Sequence, residues 1–122
     1  MGFGFPREAR LRTSAAFART RKKGRRIVTR FFILYVAPSE TSRSRLGIIA
    51  SKKVGNAIAR NRAKRVLREV YRNFHGAITS PVDVVAIVKR DCPHPTYGCY
   101  DTDFRHGIKK YQSGLARARG DG

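Results

Sequence analysis

The sequence predicts an α+β fold: a short helix, a run of strands, a long helix, one more strand and a last helix. Three observations carry that prediction. Apolar residues recur at helical spacing from Ala59 to Phe74, behind the capping residue Asn56. Segments 27–37 and 81–88 are instead largely apolar runs bounded by turn residues. No internal repeat is visible, and 122 residues leave room for one modest core. With 41% hydrophobic and 10% aromatic residues, the chain can build that core.

Residues 1–9, with Gly2, Gly4 and Pro6, read as a flexible leader ahead of a single domain at 10–118, and 119–122 as a tail. Thr13 or Ser14 is suited to cap a short helix carrying Phe17, and Gly24 ends that helix inside the cation cluster at 21–26. So short a helix is marginal alone and has to dock. Segment 27–37 reads as one strand, with Phe31, Ile33 and Tyr35 on one face and Phe32, Leu34 and Val36 on the other. Both rows are apolar, so either the strand is covered on both sides or one face is an aromatic surface that meets a ligand. A polar turn at 38–44 leads to 45–51, read as the returning strand of a hairpin, where Gly47 suggests a bulge or a close approach by another backbone.

His75-Gly76 stops the long helix. The run at 81–88 is apolar on both faces and belongs in the middle of the sheet, with Lys89 and Arg90 adding cations at its end. Residues 91–100, with Pro93, Pro95 and Gly98, read as loop. A last helix at about 102–118 takes Phe104, Ile108, Tyr111 and Leu115 as its buried stripe. Gly107 inside it costs about 1 kcal/mol relative to Ala, and Asp101 and Asp103 suit its positive N-terminal end.

Charge narrows the function. Lys and Arg number 27 against 8 Asp and Glu, a net +19. Such a field draws in phosphate backbones and gains affinity by releasing their counterions. No apolar run approaches the roughly 20 residues that span a bilayer, and the start lacks the apolar stretch of a secretion signal, which leaves the cytoplasm. Two cysteines, Cys92 and Cys99, make no disulfide framework and fit a reducing compartment.

Eight of the 27 cations lie at 51–72, where Lys52, Lys53, Arg60, Arg62, Lys64, Arg65, Arg68 and Arg72 face a single acid, Glu69. Ala59, Ala63, Val66, Leu67, Val70 and Phe74 form the apolar stripe of that helix. The same rotation gathers Asn61, Lys64, Arg65, Arg68 and Arg72 within roughly 100° on the opposite face. With almost no acids to balance it, this comb repels itself until a polyanion covers it. A second surface is suggested by Phe17, Phe31 and Tyr35 beside the cations at 21–26, since single strands are held by a positive groove and aromatic platforms.

Catalytic constellations are not found. Metal-dependent phosphodiester cleavage needs clustered carboxylates, and of Glu8, Glu40, Glu69, Asp83, Asp91, Asp101, Asp103 and Asp121 only Asp101 and Asp103 lie close in sequence. His75, His94 and His106 are scattered. Cys92, His94, Cys99 and His106 lack the two-plus-two spacing of a zinc site. No metal site is expected in the protein.

The block Ser51-Lys52-Lys53-Val54-Gly55-Asn56-Ala57, then Arg60-Asn61-Arg62, Lys64-Arg65 and Leu67-Arg68-Glu69 closely resembles the signature of the bacterial ribonuclease P protein component. Agreement extends upstream to Arg10-Leu11, Phe17, Gly24, Phe32, Leu34, Tyr35 and Arg45 to Gly47, and downstream through the strand at 82–88 and the final helix, about 10–118 in all. The resemblance implies a compact α+β sandwich of order α-β-β-β-α-β-α with a left-handed crossover. It implies the protein subunit of a ribonucleoprotein endonuclease that cuts the 5′ leader from precursor tRNA, with the catalytic centre, and most of the Mg2+, in the RNA. The expected partners are the catalytic RNA and precursor tRNA, with no membrane and no obligate protein partner. By that resemblance Lys52, Lys53, Arg60, Asn61, Arg62, Lys64, Arg65 and Arg68 contact RNA, while Phe17 and Tyr35 line the leader cleft. Where the family often has a second aromatic one turn beyond Phe17, this chain has Arg21, so an arginine-plane or phosphate contact replaces a stacked ring there. The alternative is a small basic structural RNA-binding protein, of the ribosomal kind, with no part in cleavage.

Overall fold

A computed structural model of the chain describes residues 10–74, 80–89 and 96–118. The expected leader at 1–9, tail at 119–122, helix stop at His75-Gly76, the cation Arg90 and the loop residues Cys92, Pro93, His94 and Pro95 lie outside the described residues, as does the side chain of Leu115. In chain order the elements are α1 (Ser14–Lys23), β1 (Arg25–Val28), β2 (Phe32–Pro38), β3 (Arg45–Ile49), α2 (Ala57–Phe74), β4 (Val82–Val88) and α3 (Tyr97–Ala118). The order α-β-β-β-α-β-α is the one the resemblance implied. Among the described residues no helix is long and apolar enough to cross a membrane.

The helix starts follow from capping. The Thr13 hydroxyl accepts from the Ala16 amide at 3.0 Å, and the Asn56 side-chain oxygen from the Ala59 amide at 2.9 Å. Each satisfies a first-turn donor that has no partner within the helix. The third helix starts earlier than expected. Thr96 accepts from the Cys99 amide, so 97–100 is helix rather than loop, and Tyr100 is completely buried against Phe31 and Phe32. Burial of that ring outweighs the helix-breaking tendency of Gly98.

The strands form one sheet in the order β1-β2-β4-β3. β1 and β2 are antiparallel, as are β2 and β4, while β3 and β4 run parallel. Two expectations are corrected here. Segment 27–37 is not one strand but a hairpin, reversing at Thr29–Phe31, where the Thr29 amide donates to the Phe32 carbonyl at 2.9 Å. And β3 is not the hairpin partner of β2, because β4 lies between them. β4 is buried at almost every position, so the central slot removes the most apolar surface from water, and α2 supplies the crossover that a parallel pair requires.

α2 and α3 cover one face of the sheet. There Phe32, Leu34, Val36, Val84, Ala86 and Val88 meet Ala63, Leu67, Val70, Tyr71 and Phe74 of α2 and Tyr100, Phe104, Ile108 and Tyr111 of α3. α1 covers part of the other face, where Leu11, Ala16 and Val85 are buried with Phe17, Tyr35, Ile49 and Ile87 packed beside them. The strand is therefore covered on both sides, unequally. Phe31 does not share the Tyr35 face: the reversal turns it to Tyr100, with ring centroids 5.9 Å apart.

α3 is fastened to the hairpin at two points. Asp103 does not open the helix; its carboxylate accepts from the Thr29 hydroxyl at 2.6 Å and from the Phe31 and Arg30 amides at 2.9 and 3.1 Å. Asp101 pairs with Arg105 one turn on. Gly107 is the second point, since a Cβ there would stand 2.6 Å from Leu34 Cδ1 and 3.0 Å from Thr29 Cγ2. Helix and sheet come this close only without a side chain.

Candidate nucleic-acid interface

The amphipathic pattern of α2 sets its two faces. Ala63, Leu67, Val70 and Phe74 are buried, whereas Asn61, Arg62 and Arg65 are exposed and Lys64 and Arg68 half-buried. Asn61, Lys64, Arg65, Arg68, Glu69 and Arg72 line a groove of about 460 Å³ together with Arg10. Arg10 arrives because the entering chain runs alongside β3: Arg10 bridges Leu46, and the Leu11 amide donates to the Leu46 carbonyl at 3.1 Å. The pattern of α2 alone cannot reveal Arg10. The signal available is alternation about Leu11, which, once buried, turns Arg10 and Arg12 outward.

The groove is strongly cationic. Among the described residues, Glu40 pairs with Arg19 and Lys23, Asp83 with Arg45, Asp101 with Arg105, and Asp103 holds the hairpin turn. Among the described residues Glu69 is the one carboxylate in the groove, and Arg72 takes it at 2.6 Å. Burial, and then the neighbouring Arg10, hold the Arg68 guanidinium below its ordinary value. Packing thus presses two like charges together, an arrangement that an anion stabilises.

A second cavity, of about 530 Å³, opens between α1 and the sheet. Arg12, Phe17, Arg21, Ile48, Ile49 and Lys64 contribute to its walls. Gly47 seats the aromatic wall, since a Cβ there would be 2.5 Å from Phe17 Cζ and 2.7 Å from Cε2. The close approach expected at Gly47 is therefore real, but it is made by a ring rather than by a backbone. Arg21 reaches over Tyr35, its Cζ 5.5 Å from the ring centroid, so the position without the second aromatic carries a cation–π pair. Arg26 stands across the β1–β2 pair from Tyr35, on the same face.

Lys64 belongs to both cavities. It makes one continuous surface of the groove and the cleft. Of the residues expected to bind RNA, Asn61, Lys64, Arg65 and Arg68 converge in the groove, and Phe17 and Arg21 in the cleft, with Tyr35 behind Arg21. Lys52 and Lys53 are exposed in the turn before α2, and Arg60 and Arg62 lie on its first turns, all four outside these two cavities. No group of three or more His, Cys, Asp or Glu side chains that could hold a metal ion occurs among the described residues.

The ribonuclease P family model matches residues 5–112. The ribonuclease P protein component of Desulfatibacillum aliphaticivorans is 39% identical over 90 residues, covering 74% of this chain and 76% of its own. The solved ribonuclease P protein of Staphylococcus aureus superposes with a TM-score of 0.75 at 32% identity, covering 84% of this chain and 94% of the other. That of Thermotoga maritima gives 0.74 at 27% identity, over 83% and 96% of the two chains.

Proposed function

The chain belongs to the bacterial ribonuclease P protein family, the protein component of the ribonucleoprotein that matures tRNA 5′ ends, and from that premise we propose how its surfaces divide the work. The α2 groove docks on the catalytic RNA. Asn61, Lys64, Arg65 and Arg68 meet phosphates there, with Arg10 completing the site and Lys52, Lys53, Arg60 and Arg62 extending the contact along the turn and first turns of the helix. The α1 cleft receives the single-stranded 5′ leader of precursor tRNA. Phe17 offers a stacking face, Arg12 and Lys64 take phosphates, and the Arg21–Tyr35 pair forms the rim. The protein contributes no catalytic residue; Mg2+, bound mainly by the RNA, supplies the chemistry of bond cleavage, and the complex works in the cytoplasm.

The observation that carries this division is Lys64, which lines the groove and the cleft at once. Two polyanions that repel each other are thereby held against one cationic surface, and part of the counterion demand that Mg2+ would otherwise meet falls on the protein. The test is cleavage of precursor tRNA over a Mg2+ series. The protein alone is expected to cut nothing, and protein plus catalytic RNA to produce 5′-matured tRNA at lower Mg2+ than RNA alone. Cleavage by the RNA that is unchanged on adding protein would refute the proposal and favour a purely structural RNA-binding role.

A further inference from the structure

We propose that the groove between β1 and α3 is a third contact with RNA, made to a stretch of sugar-phosphate backbone separate from those at α2 and the α1 cleft. Residues Arg25 and Arg26 point to opposite faces of the sheet. Arg26 pairs with Tyr35 on the α1 side, whereas Arg25 pairs with Val36, whose side chain is in the α3-side core. Arg25 lies directly on α3 at Gly114, where any Cβ would collide with its guanidinium. The bare helix backbone at Gly114 is therefore part of the seat. His106, Lys110 and Ser113 rise beside it at i, i+4 and i+7, with Lys109 next to them, and the walls enclose about 400 Å³. Lys109 and Lys110 are exposed, and among the described residues no carboxylate lines the groove.

Chemistry and position select the occupant. The lining offers cations and hydrogen-bond donors but no aromatic ring, which suits phosphate oxygens and not stacked bases. β1 and β3 are opposite edges of a four-stranded sheet, about 14 Å apart at the usual strand spacing. The α2 groove, which reaches Arg10 beside β3, belongs to the far edge. A phosphate held by Arg25 and Lys110 is therefore not the one held by Arg68. The protein then grips RNA at both edges of its sheet.

This inference rests on the proposal that the chain docks on a catalytic RNA, and the experiment separates the two. Affinity for that RNA is measured against salt for the unmodified protein, for Lys109→Ala/Lys110→Ala, for Lys109→Arg/Lys110→Arg, and for Arg65→Ala/Arg68→Ala. The α3 alanine pair is expected to lower the slope of log affinity on log salt by about 1 to 2, at roughly 0.9 per phosphate contact, and the arginine pair to retain it. Preference for leader-bearing over mature tRNA is expected to be unchanged in both α3 variants. A slope that falls in the α2 variant but not in the α3 alanine pair overturns the third contact and leaves the docking proposal standing. A slope unchanged in both overturns both.

Discussion

Gly47→Ala isolates the seat of Phe17. The added Cβ would stand 2.5 and 2.7 Å from Phe17 ring carbons and 3.0 Å from Leu11 Cβ, against an ordinary carbon contact of about 3.5–4.0 Å. Leu11 cannot retreat, being buried and bonded through its amide to Leu46. Phe17 is half-buried beside an open cavity, so the ring tilts away from the sheet. Gly47 has no positive φ, so alanine fits its backbone. Overpacking of about 1–3 kcal/mol is partly relieved by ring movement and partly offset by the roughly 0.4–1 kcal/mol that Gly→Ala gains through the unfolded chain. Net stability should change by no more than about 2 kcal/mol. The displaced ring, however, loses a stacked base worth about 1–3 kcal/mol, or roughly 5- to 150-fold in leader-dependent affinity. The assay is the affinity of the reconstituted holoenzyme for precursor and for mature tRNA, with Gly47→Ala, Phe17→Ala and the double variant. If Gly47 acts only through Phe17, the double variant matches Phe17→Ala. Fully additive losses, or equal losses for mature tRNA, would refute the reasoning.

Three further outcomes concern the scaffold. Asp103→Ala removes three hydrogen bonds at the β1–β2 turn and strands the part-buried Phe31 amide, so the urea midpoint should fall by the equivalent of about 2–3 kcal/mol at unchanged slope; a loss below about 0.5 kcal/mol would contradict the clamp. Gly107→Ala gains about 1 kcal/mol on helix propensity alone, yet should destabilise by about 1–3 kcal/mol through its contacts with Leu34 and Thr29, and a higher melting temperature would show that α3 does not pack this closely. Burial pushes the Tyr71 phenol up from 10.0 to about 12, against an opposing hydrogen bond from Ser44. Because the folded value is the higher, its contribution of about 2–3 kcal/mol is complete below pH 10 and is lost as pH rises towards 12; Tyr71→Phe should flatten that fall in alkaline urea titrations.

Local chemistry was readable from the sequence wherever it is settled by near neighbours. Thr13 and Asn56 cap the helices, and the α2 stripe and comb follow from a rotation of about 100° per residue. Strand partners were not readable. The six residues between β2 and β3 suggest a hairpin, but the choice was decided by β4, which arrives after α2 and buries both faces. Glycines show the same limit. At Gly107 the sequence registers only a helix penalty, and at Gly47 only an irregularity, because the Leu34 and Phe17 atoms that exclude a Cβ come from other elements. The comb of the candidate site was legible because one helix carries it. Arg10 and Arg12 were not, because a separate strand-like segment delivers them.

The Asp103 clamp bears on the chain as it is made. The turn that opens the sheet is closed by a carboxylate 72 to 74 positions downstream, and β2 waits for β4 across α2. During synthesis the first hairpin therefore leaves the ribosome with one bare edge and an unsatisfied turn; β4 completes the edge, and α3, emerging later, the turn. The central strand pairing and the turn thus rest on contacts far apart in sequence, which favours slow closure over stepwise growth from the N-terminus. A nascent chain carrying this much positive charge and no finished sheet is most vulnerable in that interval, when cellular RNA can reach its cations before its own core is sealed.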